Sequence, residues 1–541
     1  MSPAPALPES LPLQHHLAKR VRGTQSSAMK ALGALIANRN LLSLGGGTPH
    51  PSLFPMSHAT FTLPKLETLN GDVGEWQQGI ASTELVHLKK TGPGTEDDEG
   101  GILDLNDILQ YGLSNGYPAL VKQLEELNVL LHGKATSDSS IYVTLGNTDG
   151  VAKAFQLLVE PDVDTVLTEE FSFASSLNTA RAKGAKLYPV KVDGDGLVPE
   201  DLEKILATWD EAAQGRKPHI LYTIPCGQNP TGSIMPPERY DAIYRICQEH
   251  DVIILEDDPY FREARAQLPL APKQATDDDP DAVAKVFNDY AGVKSFLSRD
   301  VDGRVIRIDT FSKVFGPGVR LGWITANSVF IERLTRTVET TTQVPNGLSQ
   351  AVLASYLSDK HWGIGGFIRW MWGVRLEYQE KRDYLLDRLA YYVPEDLVST
   401  VPCGGGMFQW LKVNVTAHPR YKRLPVANAS ESAIRLGLDT VGDEPSMPPG
   451  LEVKQNDDAA YTSNTGELID ELWNYLIEKG GVVLLPAKVF SVNKPGIDQS
   501  DDLNFFRATF AGDLDNIDKA LAAFGKAIQV SISEALEESK S

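Results

Sequence analysis

The 541-residue chain reads as an α/β protein, with a large unit built on a mostly parallel mixed sheet between helices and a smaller α+β unit after it. Three observations predict this. Short β-branched runs alternate with longer amphipathic stretches through the middle of the chain, the pattern of strands joined by crossover helices. The C-terminal third changes character, with one long helical stretch leading into separated strand-like segments. The length also far exceeds what one small core organises.

In the middle of the chain, strands are expected at 141–144, 165–168, 186–190, 219–224, 252–256, 305–309 and 322–325, with helices such as 150–158 and 237–250 between them. The helical stretch at 370–392 is followed by strand-like segments at 406–413, 481–485 and 504–510. Two stretches interrupt the pattern: 262–296, which carries Asp277-Asp-Asp-Pro-Asp281, and 416–465, rich in Gly, Pro and acids. Both read as solvated surface insertions. The expected division is an N-terminal segment over 1–40, a large unit over 41–370 and a small unit over 371–541, with no internal repeat.

The net charge of −21 argues against a general nucleic-acid or anionic-membrane surface, so an anionic ligand needs a local cluster of donors. Cys226, Cys247 and Cys403 are too few and too scattered for a disulfide framework or a zinc site, which fits a reducing compartment. The start, Met1-Ser-Pro-Ala-Pro-Ala-Leu-Pro8, has no apolar core of signal-peptide length, and no stretch is long enough to span a bilayer. A cytoplasmic protein is expected. Ser539-Lys-Ser541 approximates a peroxisomal tripeptide but lacks the final leucine.

In a parallel sheet, ligands bind beyond the carboxyl ends of the strands, so residues just after each strand carry most weight. Lys313 follows the apolar run ending at Ile308 and precedes the Gly316-Pro317-Gly318 turn. Held between Phe311 and Phe315 with Arg320 one turn away, it is expected to be buried, with a depressed pKa and a neutral amine suited to Schiff-base chemistry. A surface lysine that merely follows a strand is the alternative. Asp257 follows Val252-Ile-Ile-Leu255, where a buried carboxylate needs a positive partner such as a protonated pyridine nitrogen; otherwise it caps a helix. Asn229, in Pro225-Cys-Gly-Gln-Asn-Pro-Thr-Gly232, is positioned to face the same crevice, although Asn-Pro is also an ordinary turn.

Gly146-Asn-Thr-Asp-Gly150 joins a strand to a helix, where successive N–H groups make an anion site and Asn147 and Thr148 add donors. Thr310, Ser312 and Arg320 are placed to help hold a phosphate there. This is not the Gly-x-Gly-x-x-Gly spacing of a dinucleotide site. Arg507, in Asn504-Phe-Phe-Arg-Ala-Thr-Phe510, offers a planar fork for a carboxylate, or is simply an outward strand arginine.

Together these segments resemble the fold-type I, pyridoxal-phosphate-dependent class I/II aminotransferases, and more narrowly the kynurenine/2-aminoadipate and fungal aromatic amino acid branch. The landmarks are Ser43-Leu-Gly-Gly-Gly-Thr-Pro-His-Pro-Ser-Leu-Phe-Pro55, Leu109-Gln-Tyr-Gly112, Gln228-Asn-Pro-Thr-Gly232, Glu256-Asp-Asp-Pro-Tyr260, Val301-Asp-Gly-Arg-Val-Ile306, Thr310-Phe-Ser-Lys313, Gly405-Gly-Met-Phe408 and Phe506-Arg-Ala508. They run in family order from about residue 40 to the C-terminus.

The resemblance implies that Lys313 carries pyridoxal 5′-phosphate as a Schiff base and moves the reacting proton, while Asp257 pairs with the ring nitrogen. It places Asn229 and Tyr260 at the ring hydroxyl and Asn147, Thr148, Thr310, Ser312 and Arg320 at the phosphate. Tyr111 would reach the phosphate of a partner subunit, which implies a homodimer with shared active sites. Arg507 would bind the substrate α-carboxylate, and Gly47 would line the substrate pocket. The implied reaction moves the amino group of an aromatic amino acid (Tyr, Phe or Trp), or of kynurenine or 2-aminoadipate, to a 2-oxo acid such as 2-oxoglutarate.

Three departures touch the site. Phe173 stands where relatives often stack a tyrosine on the ring, Asn147-Thr148 replaces a Ser-Gln pair, and Thr48 follows Gly47 where a leucine is common. The rival readings are a pyridoxal-phosphate carbon–sulfur lyase on the same scaffold, a regulator with an aminotransferase-like domain behind a DNA-binding module, and a dehydrogenase. The roughly forty residues before the glycine loop are too few for the DNA-binding module, since domains of ~50 residues or more are the norm. The dinucleotide fingerprint is missing.

Overall fold

The structure, a computed structural model, describes residues 7–27, 45, 47–65, 82–90, 103–133, 136–260, 295–425, 461–493 and 500–538. Nearly all of the 262–296 stretch with its acidic run, residues 426–460 of the second insertion, and Ser539-Lys-Ser541 lie outside these.

After short helical turns at Leu13–His16 and Lys19–Arg22, the first strands form an antiparallel pair, β1 (His58–Pro64) and β2 (Thr83–Lys89). Helix α1 (Pro118–His132) then leads into β3 (Ser139–Thr144). Next come α2 (Asn147–Leu158), β4 (Thr165–Glu169), α3 (Ala174–Ala182), β5 (Lys186–Val190), α4 (Pro199–Ala207), β6 (Ile220–Thr223), α5 (Pro237–Glu249) and β7 (Ile253–Asp257). The unit ends with β8 (Val305–Thr310), β9 (Gly322–Asn327), α6 (Ser328–Glu339) and α7 (Gly347–Tyr356).

These strands form one seven-stranded sheet in the order β3-β9-β8-β7-β6-β4-β5. Only β9 runs against its neighbours; the ladders β8/β7, β7/β6, β6/β4 and β4/β5 are parallel. The central strands are buried on both faces, as a sheet sandwiched between helices requires. Tyr222, Ile306 and Ile308 pack on one face with Val151 and Phe155 of α2. Leu221, Ile254 and Val305 pack on the other with Tyr240 and Ile243 of α5. Gly150 lets α2 lie directly on the sheet, since a Cβ there would stand 2.7 Å from Ile308.

The 30-residue helix α8 (Gly363–Tyr392) then carries the chain into the small unit. That unit holds β10 (Val398–Thr400), β11 (Phe408–Val413), the short pair β12 (Arg423–Pro425) and β13 (Tyr461–Ser463), α9 (Thr465–Tyr475), β14 (Leu485–Pro486), β15 (Phe505–Thr509) and α10 (Leu514–Glu538). Its four-stranded antiparallel sheet has the order β10-β11-β15-β14. Leu411, Phe506, Phe524 and Ile528 form its core with Leu389 of α8.

Four expectations change. The 370–392 helix begins seven residues earlier, at Gly363, and the 150–158 helix begins at Asn147. Of the 481–485 segment only Leu485 joins a strand, because Gly481 takes φ +66 and breaks the backbone after a π-helical turn. The ends of the 416–465 insertion are ordered by the β12/β13 ladder. Among the described residues no helix is long and apolar enough to cross a membrane.

Candidate active site

Register brings the carboxyl ends of β3, β4, β6, β7 and β8 to one edge of the large sheet, the edge at which β9 begins. Thr144 stands opposite Gly322, which also pairs with Thr310, and Ile308 stands opposite Asp257. Every group selected on the large sheet therefore leaves a strand at this edge.

Asp257, the last residue of β7, is buried. Its Oδ2 accepts from the Tyr222 hydroxyl at 2.6 Å, and its Oδ1 accepts from Asn147 Nδ2 at 2.5 Å. Burial pushes its pKa up to about 6; the two hydrogen bonds and the Arg307 charge pull against that, and the Asp309 charge adds to it. Behind it lies Arg307, fully buried, with Glu256 (3.1 Å), Asp258 (3.0 Å) and Asp309 (2.8 Å) around its guanidinium. Burial holds Glu256 and Asp258 above the usual carboxylate range although Arg307 opposes it.

The turn after β3 has the geometry expected of an anion cradle. Gly146 takes φ +97 and caps α2 with no side-chain hydrogen bond, leaving the first N–H groups of the helix available. The acid in this turn, Asp149, is turned away, accepting from Leu145 N at 2.9 Å and pairing with Lys153. Arg320, left-handed at φ +49, lays its guanidinium over Gly146, where a Cβ would stand 2.6 Å from Nη2. It donates from Nη2 to Leu145 O and from Nη1 to Pro317 O, each at 2.8 Å. The Thr310 hydroxyl donates to Ser312 Oγ at 2.9 Å and accepts from Ser312 N at 3.1 Å. Thr148 is exposed in the first turn of α2. Asn147, expected at the phosphate, instead turns its amide to Asp257.

Lys313 is half-buried, not enclosed by its sequence neighbours. Phe311 packs on Trp323 and Phe367, and Phe315 on Tyr356, so both rings turn into the core. The aromatic face that the lysine meets is Tyr260, with Nζ 5.9 Å from the ring centroid. Tyr260 is buried and packs edge-on against Phe408 of the small unit.

Arg507, central in β15, crosses between the units and donates from Nη1 to Asn229 Oδ1 at 2.8 Å. Its guanidinium lies over the rings of Phe408 (4.1 Å) and Phe490 (4.8 Å), and its buried Nε has no hydrogen-bond partner among the described residues. Burial lowers its pKa to about 10. The Asn229 loop begins with a cis Asn229-Pro230 bond and is pinned by Gln228, which donates to Phe171 O at 2.6 Å. Gly227 (φ +60) meets Gly406 (φ +75) backbone to backbone, a Cβ at Gly227 lying 2.9 Å from Gly406 Cα.

Phe173 caps α3 just beyond β4, half-buried at the same edge. Tyr111 is 60% exposed. Gly47 is exposed as well, and its loop joins the Tyr111 segment through Gln110 Nε2 to Pro49 O at 2.8 Å. Tyr222 and Arg307 were not singled out from the sequence. Each is a polar side chain inside an apolar strand run, which is the signal that marks them.

The family model for aminotransferase class I and II matches residues 85–524. The chain belongs to this family. It is 36% identical over 535 residues to an L-tyrosine:2-oxoglutarate aminotransferase of Tapinella panuoides, covering 96% of both chains. It is 37% identical over 409 residues to an aromatic amino acid aminotransferase of Schizosaccharomyces pombe, covering 74% of this chain and 82% of that one. Its fold matches the crystal structure of aminotransferase Aro8 from Candida albicans with a TM-score of 0.78 and 29% identity, over 97% of this chain and all of that one.

The cofactor of an aminotransferase of this class is pyridoxal 5′-phosphate, and the residues present fit it. Gly146 leaves room that a Cβ would fill, under a guanidinium and at an open helix N-terminus. A buried carboxylate, Asp257, stands across the sheet edge from it without a cationic partner in direct contact, the chemistry a protonated ring nitrogen completes. The orphaned Arg507 Nε is a donor left for a carboxylate.

Proposed function

We propose that this enzyme transfers the amino group of an aromatic amino acid, tyrosine first, to 2-oxoglutarate. The observation that carries the reading is the end-to-end similarity to an L-tyrosine:2-oxoglutarate aminotransferase. The crevice supports it with one amine, one buried acid, one anion cradle and one carboxylate fork.

When bound, pyridoxal phosphate supplies the electron sink for the pair released at the substrate α-carbon. The protein's own groups do the rest. Gly146, Thr148, Thr310, Ser312 and Arg320 would hold the phosphate, Asp257 would pair with the ring nitrogen, and Asn229 and Tyr260 would hold the ring hydroxyl. Asn147 steadies Asp257, and Phe173 covers the ring. Arg507 receives the α-carboxylate through Nε while Asn229 fixes its other edge. Lys313 Nζ would carry the proton from the substrate α-carbon to C4′ of the cofactor, as general base and then general acid.

The active form is a cytoplasmic homodimer. Tyr111, exposed beside the Gly47 loop, reaches the partner's phosphate, so the two subunits share their sites. The large unit extends to about residue 370, ahead of the small one. The test is a single-turnover spectrum of the holoenzyme. Tyrosine converts the cofactor to its amino form and 2-oxoglutarate restores it. Release of pyruvate and thiol from cysteine conjugates, without that conversion, overturns the reading in favour of a lyase.

A further inference from the structure

Far from the crevice, the N-terminal segment meets the large unit through a row of histidines and acids. The turn Leu13–His16 places two imidazoles on one carboxylate: His15 Nε2 lies 2.7 Å from Asp251 Oδ2, and His16 Nε2 lies 3.1 Å from Asp251 Oδ1. On its other edge His16 Nδ1 lies 3.0 Å from His219 Nδ1, and His219 Nε2 lies 3.2 Å from Asp164 Oδ2.

Asp164 anchors the far end of this row, where it also accepts from Arg216 Nη1 (3.0 Å) and Glu160 N (2.7 Å). His16 is only 2% exposed, so its Nε2 is held toward Asp251 from a packed ring, while His15 reaches the same carboxylate from the solvent side. Two imidazole Nε2 atoms therefore converge on one carboxylate.

We propose that His15 Nε2, His16 Nε2 and the Asp251 carboxylate form a site for a divalent transition-metal cation such as zinc, which ties the N-terminal segment to the large unit. Two imidazoles and a carboxylate are the ligand set zinc takes, with water in the fourth position. The three ligand atoms lie within 4.8 Å of one another. The His16–His219–Asp164 row is the outer-shell arrangement that fixes the tautomer of a ligating histidine. The nearest competing cation is Arg304, whose Nη1 is 3.7 Å from Asp251 Oδ1, but its charge is met by Asp302 through Nε and Nη2 at 2.9 Å.

The test is zinc titration of the full-length holoenzyme against a chromophoric chelator, with thermal unfolding alongside. His15→Gln and Asp251→Asn alter half-exposed side chains, and asparagine tolerates the left-handed backbone at residue 251 (φ +54). Wild type is expected to bind one zinc per chain and to melt at a higher temperature with it. Each variant is expected to weaken that binding by roughly 100-fold. Zinc held equally by wild type and both variants overturns the proposal, because it then sits elsewhere, at the cofactor included. So does wild type that takes up no zinc.

Discussion

Arg507 of the small sheet donates to Asn229, in a loop of the large unit, across 2.8 Å, which makes the proposed carboxylate fork a joint product of both units. Replacing the fork by a point charge tests its use. Arg507→Lys is expected to raise KM for tyrosine by roughly 10- to 100-fold, the value of a charge-assisted hydrogen bond, with a smaller loss in kcat. Steady-state kinetics at saturating 2-oxoglutarate separates the two.

The same arginine sets an alkaline limit. With its pKa lowered to about 10, it loses its charge at a pH where an exposed guanidinium keeps it. KM for the amino donor is expected to climb as pH rises through about 10, measured as a pH profile of kcat/KM.

Asp257 sets an acid limit. Its folded-state pKa near 6 exceeds the usual carboxylate value, so the folded apoprotein holds a proton that the unfolded chain releases. This contribution to apoprotein stability is full at low pH and is lost as pH rises through about 6. Cofactor binding runs the other way, because a ring cation needs the ionised acid. Non-covalent binding of pyridoxal phosphate to Lys313→Ala protein is expected to weaken as pH falls through about 6, read by equilibrium dialysis. Tyr222→Phe removes one hydrogen bond to the carboxylate and is expected to raise that midpoint by about one pH unit.

Lys313→Ala is expected to keep its fold, since the lysine is half-buried at the crevice wall, and to lose turnover by about 10²- to 10⁴-fold or more. Added methylamine, a mobile substitute base, is expected to restore part of the rate. Circular dichroism and rescue kinetics check both halves.

Arg307→Leu leaves Glu256, Asp258 and Asp309 buried without their cation. A loss of about 3–5 kcal/mol is expected in urea unfolding of the apoprotein at neutral pH. The deficit is expected to shrink toward acid pH as Glu256 and Asp258, already held above the usual carboxylate range, take up protons in the folded state.

Much of the crevice is legible in the sequence, because a parallel sheet delivers whatever follows its strands to one edge. Asp257, Asn229, Lys313 and the Gly146 turn all follow apolar runs and reach that edge. What the runs conceal is register. Tyr222 meets Asp257 only because β6 and β7 pair with Tyr222 opposite Leu255, and no local pattern states that offset. The expected enclosure of Lys313 between Phe311 and Phe315 fails for a related reason. Its neighbours Phe311 and Phe315 lie four residues apart and turn into the core together, so proximity in sequence put the lysine among rings that face away from it. The 481–485 segment looked like a strand from its apolar residues, but the left-handed Gly481 delays pairing until Leu485.

The contact between Gly227 and Gly406 gives the crevice a mechanical property. Two left-handed glycines touch with no side chain between them, so the two units share a bearing of backbone width beside the jaws formed by Asn229 and Arg507. A single methyl added at either glycine acts as a shim, and its thickness is delivered to the fork. If Arg507 grips the substrate as proposed, that grip and the spacing of the two sheets are set by one length, the Gly227–Gly406 contact.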